Sequence, residues 1–186
     1  MAETSQEYGK RLQGYVAGKD PLKILRETPA LLRRLIVRKA PKLLSRRPHP
    51  DKWSVREILA HLADDELVLA YRIRKVLEEP GRTIDGFDQA RWASVLHYAS
   101  DEPSRTLERF RQMREWNLEL FSRLSAEEWS LSGVHTERGR ESLRDMALLY
   151  AGHDLNHAGQ IRAIVAPARA VPEKRARAEA AARASA

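Results

Sequence analysis

The stretch "YAGHDLNHAGQIR", residues 150–162, carries two histidines four positions apart in a run without proline. In an α-helix positions four apart lie one turn above each other, so His153 and His157 can aim at one point. Met146, Tyr150, Gln160 and Ile164 share their face, which is mostly apolar and so predicted to point inward. Two neutral imidazoles on such a face need polar partners, because burying an unpaired polar group costs on the order of 1–3 kcal/mol. One divalent ion satisfies both at once; a backbone or carboxylate partner for each ring is the plainer alternative.

The composition narrows the ligand chemistry. The chain has 186 residues, enough for one domain with a real core, and contains no cysteine. Disulfides, zinc-thiolate sites and cysteine nucleophiles are thereby excluded, so a metal would be held by His, Asp or Glu. No apolar run approaches the roughly 20 residues of a bilayer span, and "MAETSQEYGK" lacks a signal-peptide core, which reads as cytoplasmic. The net charge of +7 is concentrated in residues 33–47, with seven Lys or Arg and no acid, and in residues 167–186, with five basic and two acidic residues. Neither segment interleaves aromatic residues for base stacking, so the charge reads as a solvated face plus a tail, and specific nucleic-acid binding is not expected.

Working outward, helix signals dominate. Asp20-Pro21 and Thr28-Pro29 each read as a cap followed by proline, predicting a helix over 21–27 and another over 29–39. In "WSVREI", Ser54 and Glu57 form a capping box, and Trp53 and Ile58 occupy the positions of a hydrophobic staple. This helix is predicted to run to Glu79, before Pro80-Gly81. Residues 80–102 form a long connection with a short helix near 88–97; Pro103 opens a further long helix, and Ser125 with Glu128 can cap one more turn. "SGVHTERGRE" reads as a loop, after which Ser142 and Asp145 open a last helix to about Val165. The prediction is an all-α antiparallel four-helix bundle with a long crossover, over residues 20–165, flanked by an N-terminal extension (1–19) and a basic Ala/Arg-rich tail (166–186) expected to be disordered.

A third ligand should come from another helix, and His61 in "ILAHLADDEL" is the best candidate, one turn from Glu57 and from Asp65. Three histidines with an open position suit Zn²⁺, Ni²⁺ or Fe²⁺. Asp64, Asp65 or Gln160 could fix the ring tautomers. The H-E-x-x-H metalloprotease pattern does not fit, because Asp154 stands where glutamate is required; it also points away from the histidine face. Glu57 reads as the capping partner of Ser54. His135 and Glu137 could line a site mouth or form an exposed loop pair, while Asp88, Arg91 and Trp92 could lid a pocket or simply pack over the bundle end.

The two stretches "DKWSVREILAHLADDE" (51–66) and "HDLNHAGQI" (153–161) together resemble the signature halves of the DinB-like (YfiT-like) superfamily of metal-binding four-helix bundles. The resemblance covers roughly residues 20–165. It implies one divalent metal, commonly zinc or nickel, held at the positions of His61, His153 and His157, and a cytoplasmic homodimer. It further implies a metal-dependent thiol S-transferase of the detoxification kind, with a low-molecular-weight thiol as cosubstrate whose carboxylate Arg91 could bind. A metal-dependent hydrolase, with Asp65 or Tyr150 nearest the metal, and a non-catalytic, metal-stabilised stress-response protein are the alternatives.

Overall fold

The computed structural model describes residues 3–167. Seven α-helices follow in chain order: α1 (Ser5–Val16), α2 (Pro21–Ile36), α3 (Pro41–Leu44), α4 (Val55–Glu78), α5 (Gln89–Val95), α6 (Pro103–Ser122) and α7 (Leu143–Val165). Three short strands accompany them: β1 (Thr83–Ile84), β2 (Ser132–His135) and β3 (Gly139–Ser142). The tail from residue 168, whose disorder the composition suggested, lies outside the described residues.

Local chemistry sets the helix starts. Ser54 accepts from the Glu57 N–H while the Glu57 carboxylate accepts from Ser54, and the Ser142–Asp145 pair does the same for α7. Each box satisfies two of the backbone donors that a helix leaves unpaired at its first turn. Trp53 packs on the core beside Ile58, and the predicted Ser125–Glu128 cap holds a single 3₁₀ turn at Glu128–Ser130. At the opposite terminus, the basic stretch 33–47 serves a structural end: Lys39 Nζ and Arg46 Nη2 donate to the carbonyls of Val165 and Ile164 in the last turn of α7.

α2, α4, α6 and α7 form the bundle, as expected of the fold. Around it, α2 borders α7 and α6, and α4 borders α6 and α7. One apolar cluster joins Leu32 and Ile36 of α2 to Val55–Leu62 of α4, Leu107 and Phe110 of α6 and Ile161–Val165 of α7. The other joins Leu25, Leu69–Val76, Phe121 and Leu143–Ala151. α2 and α7 therefore run one way and α4 and α6 the other. Two parallel pairs oppose each other, and the long crossover from 79 to 102 carries the chain back along the bundle. Between the clusters lies a polar layer containing His61, Glu66, Arg114, Asn117, His153, Asp154 and His157, all buried.

Three features differ from the sequence reading. Pro29 does not separate two helices but sits inside a continuous α2. Lacking an N–H, it leaves the Leu25 carbonyl without its helical donor; Arg114 Nη1 supplies that bond from α6 at 2.9 Å. Residues 132–142 are a β-hairpin rather than a loop, and β1 adds to it in parallel, giving the order β1-β2-β3. Gly139, at φ +85°, closes the three-residue turn between His135 and its partner, as this hairpin type requires. Finally, the extension 1–19 contains α1, whose Leu12 and Val16 are buried and which packs along α7.

The α1–α7 contact explains the first glycine of the histidine stretch. A Cβ at Gly152 would stand 2.1 Å from the Leu12 carbonyl oxygen, so only glycine lets the two backbones approach. Gly159, by contrast, faces open space. Gly152→Ala is expected to cost about 1–3 kcal/mol by overpacking and to loosen α1 first. Chemical denaturation reads the former; faster amide exchange confined to residues 5–16 reads the latter.

Candidate metal centre

α4 presents His61, and α7 presents His153 and His157 one turn apart, in the polar layer between the two apolar clusters. Each ring offers one nitrogen, and the three lie within 4.8 Å of one another. His153 Nε2 stands 3.1 Å from His61 Nε2 and 3.0 Å from His157 Nε2. Three donors held tetrahedrally at zinc-like bond lengths are spaced by about 3.3 Å, so the trio is close to what a single small divalent ion requires.

The surroundings set the rings for ligation. Gln160 Oε1 lies 2.9 Å from His157 Nδ1; an oxygen acceptor there keeps the proton on Nδ1 and leaves the Nε2 lone pair facing the other rings. Asp65 Oδ2 lies 3.4 Å from His153 Nδ1 and 3.6 Å from His61 Nε2, bordering both a ring's far side and the point of convergence. Among the described residues His61 Nδ1 is buried without a hydrogen-bond partner, and Trp53 covers the ring at a centroid distance of 4.8 Å. Burial, reinforced by the neighbouring imidazoles, holds His61 and His153 well below the usual histidine range. Burial likewise pushes His157 down to about 4, opposed by its bond to Gln160. All three are neutral near pH 7, the ligating form. Three neutral imidazoles sharing one point cannot all hydrogen-bond there, whereas a cation accepts every lone pair.

Beside the trio lies a cavity of about 80 Å³. It is bordered by His153, Asp65 and Tyr150, by Arg72 of α4, by His135 and Arg138 of the hairpin, and by Tyr8 of α1. Asp65 is pushed up to about 8 by burial, which outweighs the attraction of Arg72. Tyr150 is raised by burial and by the Asp65 charge. Arg138 is paired with Glu141.

The structure thus brings together His61, His153, His157, Asp65, Tyr150 and Gln160. It also brings His135 and Glu137 to the cavity, with His135 buried at 2% exposure rather than in an exposed loop. It does not bring Asp88 or Arg91 there: Asp88 caps α5 by accepting from the Arg91 N–H, and Arg91 is exposed. Trp92 packs against Phe87 and borders a neighbouring open groove instead. Asp64 accepts from Tyr98, away from the trio. Asp154, which faces away from the histidines, is buried against Arg114.

Sequence reasoning missed Arg72, Arg138 and Tyr8. For Arg72 a signal existed: it interrupts the inward stripe Leu69, Ile73, Val76 of α4, seven residues after Asp65, so it shares the aspartate's face.

Fold and site together define a helical bundle with three converging imidazoles that could hold one metal ion. Residues 24–161 match the model of the DinB superfamily, and the chain belongs to it. Among proteins it resembles, one from Oceanobacillus iheyensis is 27% identical over 64% of this chain and 68% of its own length. Another, YfiT of Bacillus subtilis, is 23% identical over 75% and 79% respectively. Both carry the name "putative metal-dependent hydrolase". The solved structure of YfiT, described as "a probable metal-dependent hydrolase with an unusual four-helix bundle topology", shares the fold, with a TM-score of 0.73 at 21% identity over 77% of this chain and 83% of that one.

Proposed function

We propose that this protein is a divalent-metal-dependent enzyme whose ion is held by His61, His153 and His157 and whose substrate enters the adjoining cavity. The observation that carries the reading is the convergence of three neutral imidazole nitrogens beside a cavity lined by ionisable side chains. When bound, the ion would supply Lewis acidity that makes a water or a thiol nucleophilic near neutral pH. Gln160 and Asp65 hold the rings in their ligating tautomers. Asp65, at the edge of both trio and cavity, is held up near 8 by burial; a cation bound at the trio would draw its carboxyl back toward the ionised form, in which it could take the nucleophile's proton.

Two reactions draw on these residues. In thiol S-transfer the sulfur comes from a low-molecular-weight cosubstrate, since the chain has no cysteine of its own. In hydrolysis water takes its place, the reaction for which the curated relatives are named. Purified protein is expected to contain about one equivalent of Zn, Ni or Fe by elemental analysis. It should then accelerate either conjugation of glutathione, bacillithiol or mycothiol to an electrophilic acceptor, or release of product from ester and amide substrates. His61→Ala removes both metal and turnover. Stoichiometric metal without turnover in either assay assigns the ion a structural role alone; no metal uptake by the wild type refutes the centre.

A further inference from the structure

Arg72 is a buried guanidinium, 6% exposed, at the border of the metal-centre cavity. Buried arginines are ordinarily paired with a carboxylate; Arg114 in this molecule is, and so is the half-buried Arg138. Among the described residues, no carboxylate oxygen lies within 4.0 Å of Arg72. Its Nη2 donates to the Asp85 carbonyl at 2.7 Å and faces His135 Nε2 at 3.3 Å. The two acids that border the cavity, Asp65 and Glu137, do not reach it within ion-pair distance. Asp65 sits against the histidine trio, and Glu137 accepts from Ser5 of α1 at 3.0 Å.

His135 sharpens the point. Its Nδ1 accepts from the Glu137 backbone N–H at 3.1 Å, so in the neutral ring the proton is on Nε2. That places one N–H opposite another across the 3.3 Å between His135 and Arg72. Two donors converge with no acceptor between them, an arrangement that an anionic oxygen would resolve. Arg72 and Phe87 also border the open groove of about 920 Å³ lined by Leu67, Tyr71 and Trp92, so the pair stands where groove and cavity meet.

We propose that Arg72 and His135 anchor a carboxylate of the substrate, aiming the rest of the molecule through the cavity toward His153. A carboxylate rather than a phosphate is chosen on charge: Asp65 and Glu137 border the same cavity, and a group with one negative charge is repelled less there than a doubly charged phosphate. The identity of the reacting molecule as a small carboxylic acid, or a larger molecule presenting one, rests on the metal-centre reading. The anchor itself does not.

The test therefore uses the full chain stripped of metal, so that no ion can hold the anion. Titration calorimetry with acetate, malonate and inorganic phosphate is expected to show saturable carboxylate binding to the wild type. Arg72→Gln should weaken it by about 10- to 100-fold, the effect of losing a charge-assisted hydrogen bond, and Arg72→Lys by less. Should Arg72→Gln fail to fold, imidazole NMR signals of His135 in the wild type give a second reading, and they should move on adding malonate. Equal affinity in Arg72→Gln, absence of saturable carboxylate binding, unmoved His135 signals, or tighter binding of phosphate than of any carboxylate each overturns the proposal. Metal content, measured separately, reports on the centre alone.

Discussion

Replacing Arg114 with methionine should lower the free energy of unfolding by about 3–5 kcal/mol at neutral pH, the cost of breaking a buried ion pair from one side. Arg114 is 1% exposed and reaches all the other bundle helices at once. From α6 it donates to Glu66 of α4 at 2.7 Å, to both Asp154 oxygens of α7 at 2.6 and 3.0 Å, and to the Leu25 carbonyl of α2 at 2.9 Å. Asn117 completes the cluster by donating to the Glu66 carboxylate. Burial opposes the guanidinium charge, but the two carboxylates beside it more than restore it. Methionine preserves much of the volume and removes every donor, stranding two acids in the core.

The pH dependence of that loss follows from the stranded acids. Asp154 already titrates above the usual aspartate range because burial disfavours its anion, and Arg114 pulls it back down. Without Arg114 its folded pKa rises further above the unfolded value. Stability from such a group is present below the unfolded pKa and is lost as pH rises through the folded one. The deficit of Arg114→Met relative to wild type is thus expected to be smallest near pH 4 and to grow toward neutrality. Urea denaturation across that range measures it, and a pH-independent deficit would rule out this account.

The second large effect concerns the ion. A ligand at 1,000 times its dissociation constant adds about 4 kcal/mol to the stability of the state that binds it. Chelation of the wild type should lose a stabilisation of that order, whereas His61→Phe, which fills the space beside Trp53 but cannot ligate, should be indifferent to chelator. Melting curves with and without chelator for the two proteins suffice. A His61→Phe variant stabilised by added zinc as much as the wild type would show that the ion binds elsewhere.

What could be read from the chain was what its chemistry states locally. The boxes at Ser54–Glu57 and Ser142–Asp145 need only a cap and an acid three residues apart, and both formed. The four-residue spacing of His153 and His157 likewise announces a shared face. His61, which stands 92 positions before His153, could be singled out from its place at the margin of the apolar stripe of α4, and the family resemblance named the same trio. What escaped notice depends on distant partners. Pro29 stays helical because Arg114 serves the carbonyl it frees, and nothing near residue 29 reports that. α1 is polar except where Leu12 and Val16 meet α7, too narrow a stripe to separate from a solvated extension. The hairpin strands are four residues each, and their burial follows from packing rather than alternation.

The return crossover has a kinetic consequence. Because α4 and His61 precede α7 by the whole of the crossover, α6 and the hairpin, the three imidazoles cannot converge in any nascent chain still lacking its last helix. Until then Glu66 of α4 can meet Arg114 of α6, but that arginine still lacks its partner Asp154 of α7. Contacts of such long sequence separation slow folding, so an ion held by the trio would be taken up as a final step.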